Sequence, residues 1–153
     1  MPDSPPVQTA DQQVVITRVF DAPRELVFRA WTDPDHVAKW FGPQGMDIPR
    51  DSVAIDPRVG GRFELRMINS GRGFEMGLGY KIAELVEPEL LVLHHDAKPE
   101  LGIPHATVTR VELYDEGGKT RMVLTDGPYP ESGHAEAGWI QAFDKLAVLV
   151  SAR

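Results

Sequence analysis

Between Ser132 and Val150 the spacing of apolar residues changes, and that change constrains the fold more than any other feature of the chain. Ala135, Trp139, Ala142, Phe143, Leu146 and Val150 recur three and four residues apart, which gathers them on one stripe of an α-helix. Gln141, Asp144 and Lys145 fall on the far side, and Ser132 is placed to cap the start. Ahead of this stretch the alternation is by twos. Phe63, Leu65 and Met67 share one face of a strand, and Arg62, Glu64 and Arg66 share the other. Phe74, Met76, Leu78, Tyr80 and Ile82 repeat the pattern in the next strand. An antiparallel sheet with one apolar face, followed by one helix able to cover it, predicts an α+β fold.

The remaining elements fit around this pair. Gln13 to Phe20 is rich in β-branched residues and reads as the first strand. Asp21-Ala22-Pro23 and Thr32-Asp33-Pro34 each start a short helix, with the proline at the first helical position. The first helix directs Leu26, Val27, Ala30 and Trp31 inward, and the second ends near Trp40. Ile48 to Asp56, Arg62 to Ile68, Phe74 to Leu85, Leu90 to His95, Ala106 to Tyr114 and Lys119 to Thr125 read as six further strands. Val59-Gly60-Gly61, Asn69 to Gly73, Glu87-Pro88-Glu89 and Asp115 to Gly118 are the turns between them. Tight turns between consecutive strands make the sheet antiparallel, with about seven strands in all. Residues 1–11 carry three prolines and no apolar period, so they are expected to be a disordered tail to a single domain over residues 12–153.

Composition removes several classes of function. With no cysteine, disulfides, thiol catalysis and cysteine-ligated metals are excluded. The net charge of −7 comes without any run of Lys and Arg, which speaks against nucleic acid as a partner. No apolar stretch approaches the roughly 20 residues that span a bilayer. The polar, Pro-rich start lacks the features of a signal peptide, so the expected location is cytoplasmic. Gly71, Gly73, Gly77 and Gly79 lie in a hairpin and its strand, not in a phosphate-binding turn between strand and helix. No cofactor is expected. A homodimer is left open.

One helix is only about 10–12 Å across with its side chains, narrower than a sheet of seven strands. The uncovered apolar surface must meet the short helices or enclose a space. Such a space predicts an apolar small molecule or lipid-like ligand. Its expected lining is Trp31, Trp40, Phe63, Leu65, Met67, Met76, Tyr80, His95, Met122, Trp139 and Phe143. Among polar residues, His95 shares the parity of Leu91 and Leu93 and is directed at the cavity. Asp126 follows Met122 and Leu124 in parity, and either reaches the cavity rim or caps the turn at Gly127-Pro128. If the domain were an enzyme, acid–base work would fall to His95, Tyr80 or Asp126. Adjacent strand residues point to opposite faces, so His94 and His95 do not share an ion and no metal site is expected. His134 falls outside the apolar stripe and His36 sits in a short helix, so both are expected on the surface. The charges Glu64, Arg66, Glu75 and Lys81 are expected to pair across neighbouring strands.

The order strand, two short helices, six strands and long helix resembles the helix-grip fold of the START-related (SRPBCC) superfamily. Phe20-Asp21-Ala22-Pro23, Trp40-Phe41-Gly42-Pro43, Val59-Gly60-Gly61-Arg62-Phe63, Glu87-Pro88-Glu89-Leu90-Leu91 and Gly138-Trp139 are similar to one branch of it. That branch is named for the C-terminal domain of the heat-shock-protein-90 ATPase activator. The resemblance covers about Gln13 to Val150 and implies a sheet curved around the C-terminal helix. It allows three functions: ligand binding without fixed catalytic chemistry, a cyclase- or hydrolase-type enzyme in the same cavity, and a chaperone-ATPase-activator-like interaction module.

Overall fold

A computed structural model of the chain describes residues 12–101 and 103–151. The expected tail, residues 1–11, lies outside the described residues. Strand β1 (Gln12–Phe20) leads into helix α1 (Arg24–Thr32) and helix α2 (Pro34–Trp40). Strands β2 (Ala54–Ile55), β3 (Arg62–Asn69), β4 (Phe74–Val86), β5 (Leu90–His95), β6 (Thr107–Glu116) and β7 (Lys119–Tyr129) follow, and helix α3 (Gly133–Ser151) ends the order. The strands form one curved antiparallel sheet in the order β1-β7-β6-β5-β4-β3-β2, so the first strand pairs with the last. This is the expected α+β, helix-grip architecture.

The short helices start as their sequences dictate, with one shift. Pro23 takes the capping position of α1 instead of its first turn, and its carbonyl accepts from the Leu26 and Val27 amides. Asp33 caps α2 by accepting from the Asp35 amide at 2.8 Å, and Pro34 opens the first turn, where a missing N–H costs nothing. Val27, Ala30 and Trp31 are buried as expected, whereas Leu26 is half-buried and Phe28 joins the core.

The long strand expected over Ile48 to Asp56 does not form. Arg50–Ser52 is a single 3₁₀ turn, and only Ala54–Ile55 pairs with β3. Pro49 has no N–H for a ladder. The Ser52 hydroxyl donates to the Pro49 carbonyl at 2.7 Å, which favours the turn over an extended chain. Strand β7 instead runs further than expected, through Gly127 and Pro128 to Tyr129. Its edge is carried on by β1, where Gln12 faces Tyr129 and Val14 faces Asp126 across an irregular register.

The concave face of the sheet divides in two along its strands. Ile82, Leu91, Leu93, Val111, Leu113, Met122 and Leu124 are all buried, in one core cluster with Leu146 and Val150 from the second half of α3. At the other end, the same faces carry Tyr80 in β4, His95 in β5, Thr107 and Thr109 in β6, and Asp126 in β7. The central strands thus turn from apolar to polar without changing face.

On the apolar side of this boundary the helices interlock through aromatic rings. Trp31 lies 4.8 Å from Trp40 and 6.2 Å from Phe143, centroid to centroid, and Trp40 lies 6.2 Å from Phe143. Each such pair adds about 0.5–1.5 kcal/mol beyond the area it buries. The Trp40 indole N–H donates to the Ala30 carbonyl at 2.8 Å, which locks α2 against α1. Among the described residues no helix is long and apolar enough to cross a membrane.

Candidate functional site

Space remains under the first half of α3. A cleft of about 1240 Å³ lies between that half-helix and the polar end of the sheet. Its inner wall includes Phe41, Met67, Met76, Leu78, Tyr80, His95, Thr107, Asp126, Tyr129 and Trp139. Its mouth is formed by exposed side chains, among them Gln44, Arg72, Phe74, Glu100, Glu131 and His134. Gly42 lets the chain after α2 cross this wall. Its φ of 85° is in the left-handed region, and a Cβ there would stand 2.7 Å from the Met67 sulfur.

The closed end of the cleft is organised by Asp126, which is 2% exposed. The Thr109 hydroxyl donates to its Oδ1 at 2.8 Å. The Tyr129 hydroxyl donates to Oδ2 at 2.7 Å, and the Trp139 indole N–H donates to the same oxygen at 2.8 Å. All three donors are uncharged. A buried carboxylate is costly unless such bonds replace its water, and here two strands and the long helix supply them. The register explains the convergence: Thr109 is directly opposite Asp126, and Tyr129 lies three residues further along β7.

Tyr80 and His95 form the adjoining wall. They are cross-strand partners with ring centroids 5.1 Å apart, and Thr107 is the partner of His95 on its other side. Burial, reinforced by the Asp126 carboxylate, raises the pKa of Tyr80 far above the usual phenol value, and the same causes act on Tyr129. Both phenols are therefore donors at neutral pH. His95 is 2% exposed, and neither ring nitrogen has a hydrogen-bond partner among the described residues. Burial pushes its pKa below the ordinary histidine value. The Asp96 backbone pulls the other way without reaching hydrogen-bond geometry, and Lys98 adds to the depression. Burial thus favours the neutral imidazole, whose one N–H and one lone pair lie buried without a partner among the described residues.

Of the residues expected at a cavity, Met67, Met76, Tyr80, His95 and Trp139 line the cleft. Trp31, Trp40, Phe63, Leu65, Met122 and Phe143 are instead packed into the core beside it. Asp126 reaches the cavity and does not cap a turn, because β7 continues past it. Tyr129 and Thr109 are site residues that the sequence does not mark. The Gly127-Pro128 pair reads as the end of a strand, which hides Tyr129, and a lone threonine in a strand carries no signal of its own.

The other histidines separate. His94 is exposed, on the opposite face from His95, and His134 is exposed at the mouth of the cleft. His36, expected on the surface, is half-buried. No group of three or more His, Asp or Glu residues among those described could hold a metal ion. Gln141 and Lys145, expected to face water, are half-buried because the segment after α2 folds across them. The Gln44 amide donates to Gln141 Oε1 at 2.9 Å, and burial lowers the pKa of Lys145 while Asp47 opposes the shift. Of the cross-strand charges, Arg66 and Glu75 form an ion pair of 2.6 Å. Both are half-exposed, so the pair contributes little.

A curved antiparallel sheet gripping one long helix, with a cleft between them, defines the START-related, or SRPBCC, superfamily. Within it, the chain belongs to the family described as Activator of Hsp90 ATPase homolog 1-like protein, whose family profile matches residues 21–151. Solved structures agree. A protein from Chromobacterium violaceum is 27% identical with a TM-score of 0.80, over 90% of this chain and 96% of that one. An AHSA1-like protein from Aeromonas hydrophila is 22% identical with a TM-score of 0.77, over 92% and 93% of the two chains. A protein from Nitrosomonas europaea is 20% identical with a TM-score of 0.75, over 92% and 94%. The latter two share the fold. No curated protein matches the chain.

Proposed function

We propose that this protein binds an apolar small molecule or lipid-like ligand in the cleft under α3, in the cytoplasm, and performs no fixed chemistry on it. The observation that carries this reading is the cleft itself. Large adaptable side chains, Met67, Met76, Leu78 and Trp139, line an open cleft of about 1240 Å³ beside the buried core. Soluble domains fill such space with their own side chains unless something else is meant to occupy it. Methionine suits a site that must fit a flexible guest. Binding is favoured over catalysis because Asp126 is already held by three donors and, among the described residues, no hydrogen-bond partner orients His95.

The test is displacement of an uncharged fluorescent probe, N-phenyl-1-naphthylamine, combined with native mass spectrometry of protein from its own host. The probe should brighten on the wild type and a small molecule should co-purify. Ala135→Trp and Met76→Trp add bulk at half-buried positions in the lining and should abolish probe binding with little loss of melting temperature. A wild type that leaves the probe dark and carries no small molecule would overturn the reading.

A further inference from the structure

Tyr80 stands where the concave face of the sheet turns from apolar to polar, and it lines the cleft half-buried. Its hydroxyl makes no hydrogen bond among the described residues, yet it is not sealed off. The side-chain polar atoms that are buried without a partner are Arg24 Nε, Trp31 Nε1, His36 Nδ1 and the two nitrogens of His95, and the Tyr80 oxygen is not one of them. The oxygen therefore keeps accessible surface. The neighbouring donors differ. The Tyr129 hydroxyl and the Trp139 indole N–H are already committed to Asp126, and the His95 nitrogens are closed off.

The Tyr80 ring is also held in place. Its cross-strand partners are Phe63 in β3 and His95 in β5, with ring centroids 5.8 Å and 5.1 Å away. A ring flanked on both sides keeps one orientation, so its hydroxyl is aimed before any guest arrives.

We propose that the Tyr80 hydroxyl is the anchoring donor of the cleft and selects an apolar ligand carrying an uncharged carbonyl over a hydrocarbon or a carboxylate. The inference rests on the ligand-binding reading and narrows it to a ligand class.

A phenolic oxygen shares its lone pairs with the ring, so the group donates better than it accepts, and a carbonyl oxygen answers it directly. The position also reveals what charge it tolerates. Burial first, and then the Asp126 carboxylate, disfavour a phenolate at the Tyr80 oxygen. The same two causes oppose a ligand carboxylate placed beside it. Thr109, Tyr129 and Trp139 donate to Asp126 as neutral groups and leave its charge uncancelled. A hydrocarbon would fit against Met67, Met76 and Leu78 but would strip the hydroxyl of water and leave it unpaired. An ammonium group offers only donors to a donor.

The experiment displaces the naphthylamine probe with four competitors of nearly equal shape: 2-acetylnaphthalene, 2-isopropylnaphthalene, 2-naphthoate and 1-(2-naphthyl)ethylammonium. On the wild type the ketone should displace at a concentration at least about tenfold lower than naphthoate. Tyr80→Phe keeps the ring and removes the donor. It should weaken the ketone roughly fivefold, the net contribution of about one hydrogen bond, and leave isopropylnaphthalene within about twofold. The carbonyl stretching band of the bound ketone should lie below its position in hexane on the wild type and return toward it on Tyr80→Phe. An equal loss for ketone and hydrocarbon, no loss for the ketone, or a preference for either charged competitor overturns the assignment while leaving cavity binding intact. Failure of every competitor and of the probe overturns both. Should Tyr80→Phe not fold, by near-UV circular dichroism, the wild-type band still decides, since an unshifted carbonyl has no donor.

Discussion

The indole N–H of Trp139 donates to Oδ2 of Asp126 over 2.8 Å, and this bond ties α3 to β7 where the cleft closes. It makes one residue serve two purposes, since the Trp139 ring also lies 5.5 Å from Phe143 and 5.9 Å from Trp31 in the aromatic cluster. The position of the helix over the sheet is therefore set by a polar contact as well as by packing.

Trp139→Phe keeps most of the ring and removes the donor. Hydrogen bonds to charged groups contribute about 1.5–3 kcal/mol, and the loss should fall in that range by urea unfolding. Tyr129→Phe removes the other donor to the same oxygen. The double variant should lose an amount that differs from the sum, because both bonds share one acceptor. A neutral Trp139→Phe would mean that water replaces the indole without cost.

Acid should weaken the fold through His95. Its pKa is lowered in the folded state from the ordinary histidine value of 6.5, so below about that pH the unfolded chain takes up a proton that the folded chain refuses. Stability is complete above about pH 6.5, falls as the pH drops toward the folded value, and is then fully lost for this group. Asp96 and Asp126 oppose the shift and Lys98 adds to it. His95→Phe should flatten this part of the urea midpoint profile relative to wild type, and an unchanged slope would show that the ring is hydrated.

Alkali should act through the phenols. Tyr80 and Tyr129 keep their protons in the folded state well above the ordinary phenol value of 10.0, because burial and Asp126 disfavour the phenolate. Above about pH 10 the unfolded chain releases protons that the folded chain retains, so stability falls as the pH rises. Absorbance at the phenolate band should show these two tyrosines ionising only together with unfolding. Early, reversible ionisation of all three tyrosines in the folded protein would contradict the burial of this wall.

Gly61→Ala should be costly although the change is a single methyl. A Cβ there would stand 2.1 Å from the Asp56 carbonyl oxygen, a backbone atom that cannot swing aside. The same turn is fixed to β4, since the Gly60 amide donates to Ile82 and the Ile82 amide donates to Gly61, both at 2.8 Å. The expected loss is about 1–3 kcal/mol by thermal or urea unfolding. A wild-type midpoint would mean that this turn yields freely.

Most of the fold is legible because its two periods are clean. The alternation of Phe63, Leu65 and Met67 identifies the inward face of β3, and the stripe from Trp139 to Val150 identifies that of α3. Periodicity reports which face a residue occupies, not how far along the groove it sits. Trp31, Trp40, Phe63, Leu65, Met122 and Phe143 point inward as expected, but toward the filled end. The polar side of the site is half legible. His95 and Asp126 stand out by parity, while Tyr129 becomes part of the site only because pairing with β1 carries β7 through a Gly-Pro pair that reads as a stop. The expected strand at Ile48 fails for the opposite reason, as a proline and a serine side chain offer its backbone a local alternative.

The pairing of β1 with β7 also bears on how the molecule is born. Phe20 lies opposite Thr120, and among the described residues β1 has no other neighbour in the sheet. Within this domain β1 is thus made about a hundred residues ahead of its partner, and waits for it. Until then the apolar residues Val14, Ile16 and Phe20 have nowhere to go, and the contact closes over nearly the whole length of the domain. Such long-range closure slows folding and leaves nascent edges open to mispairing. A chain released early, even one lacking only β7 and α3, would lack the strand that seats its own beginning and would be left to proteolysis.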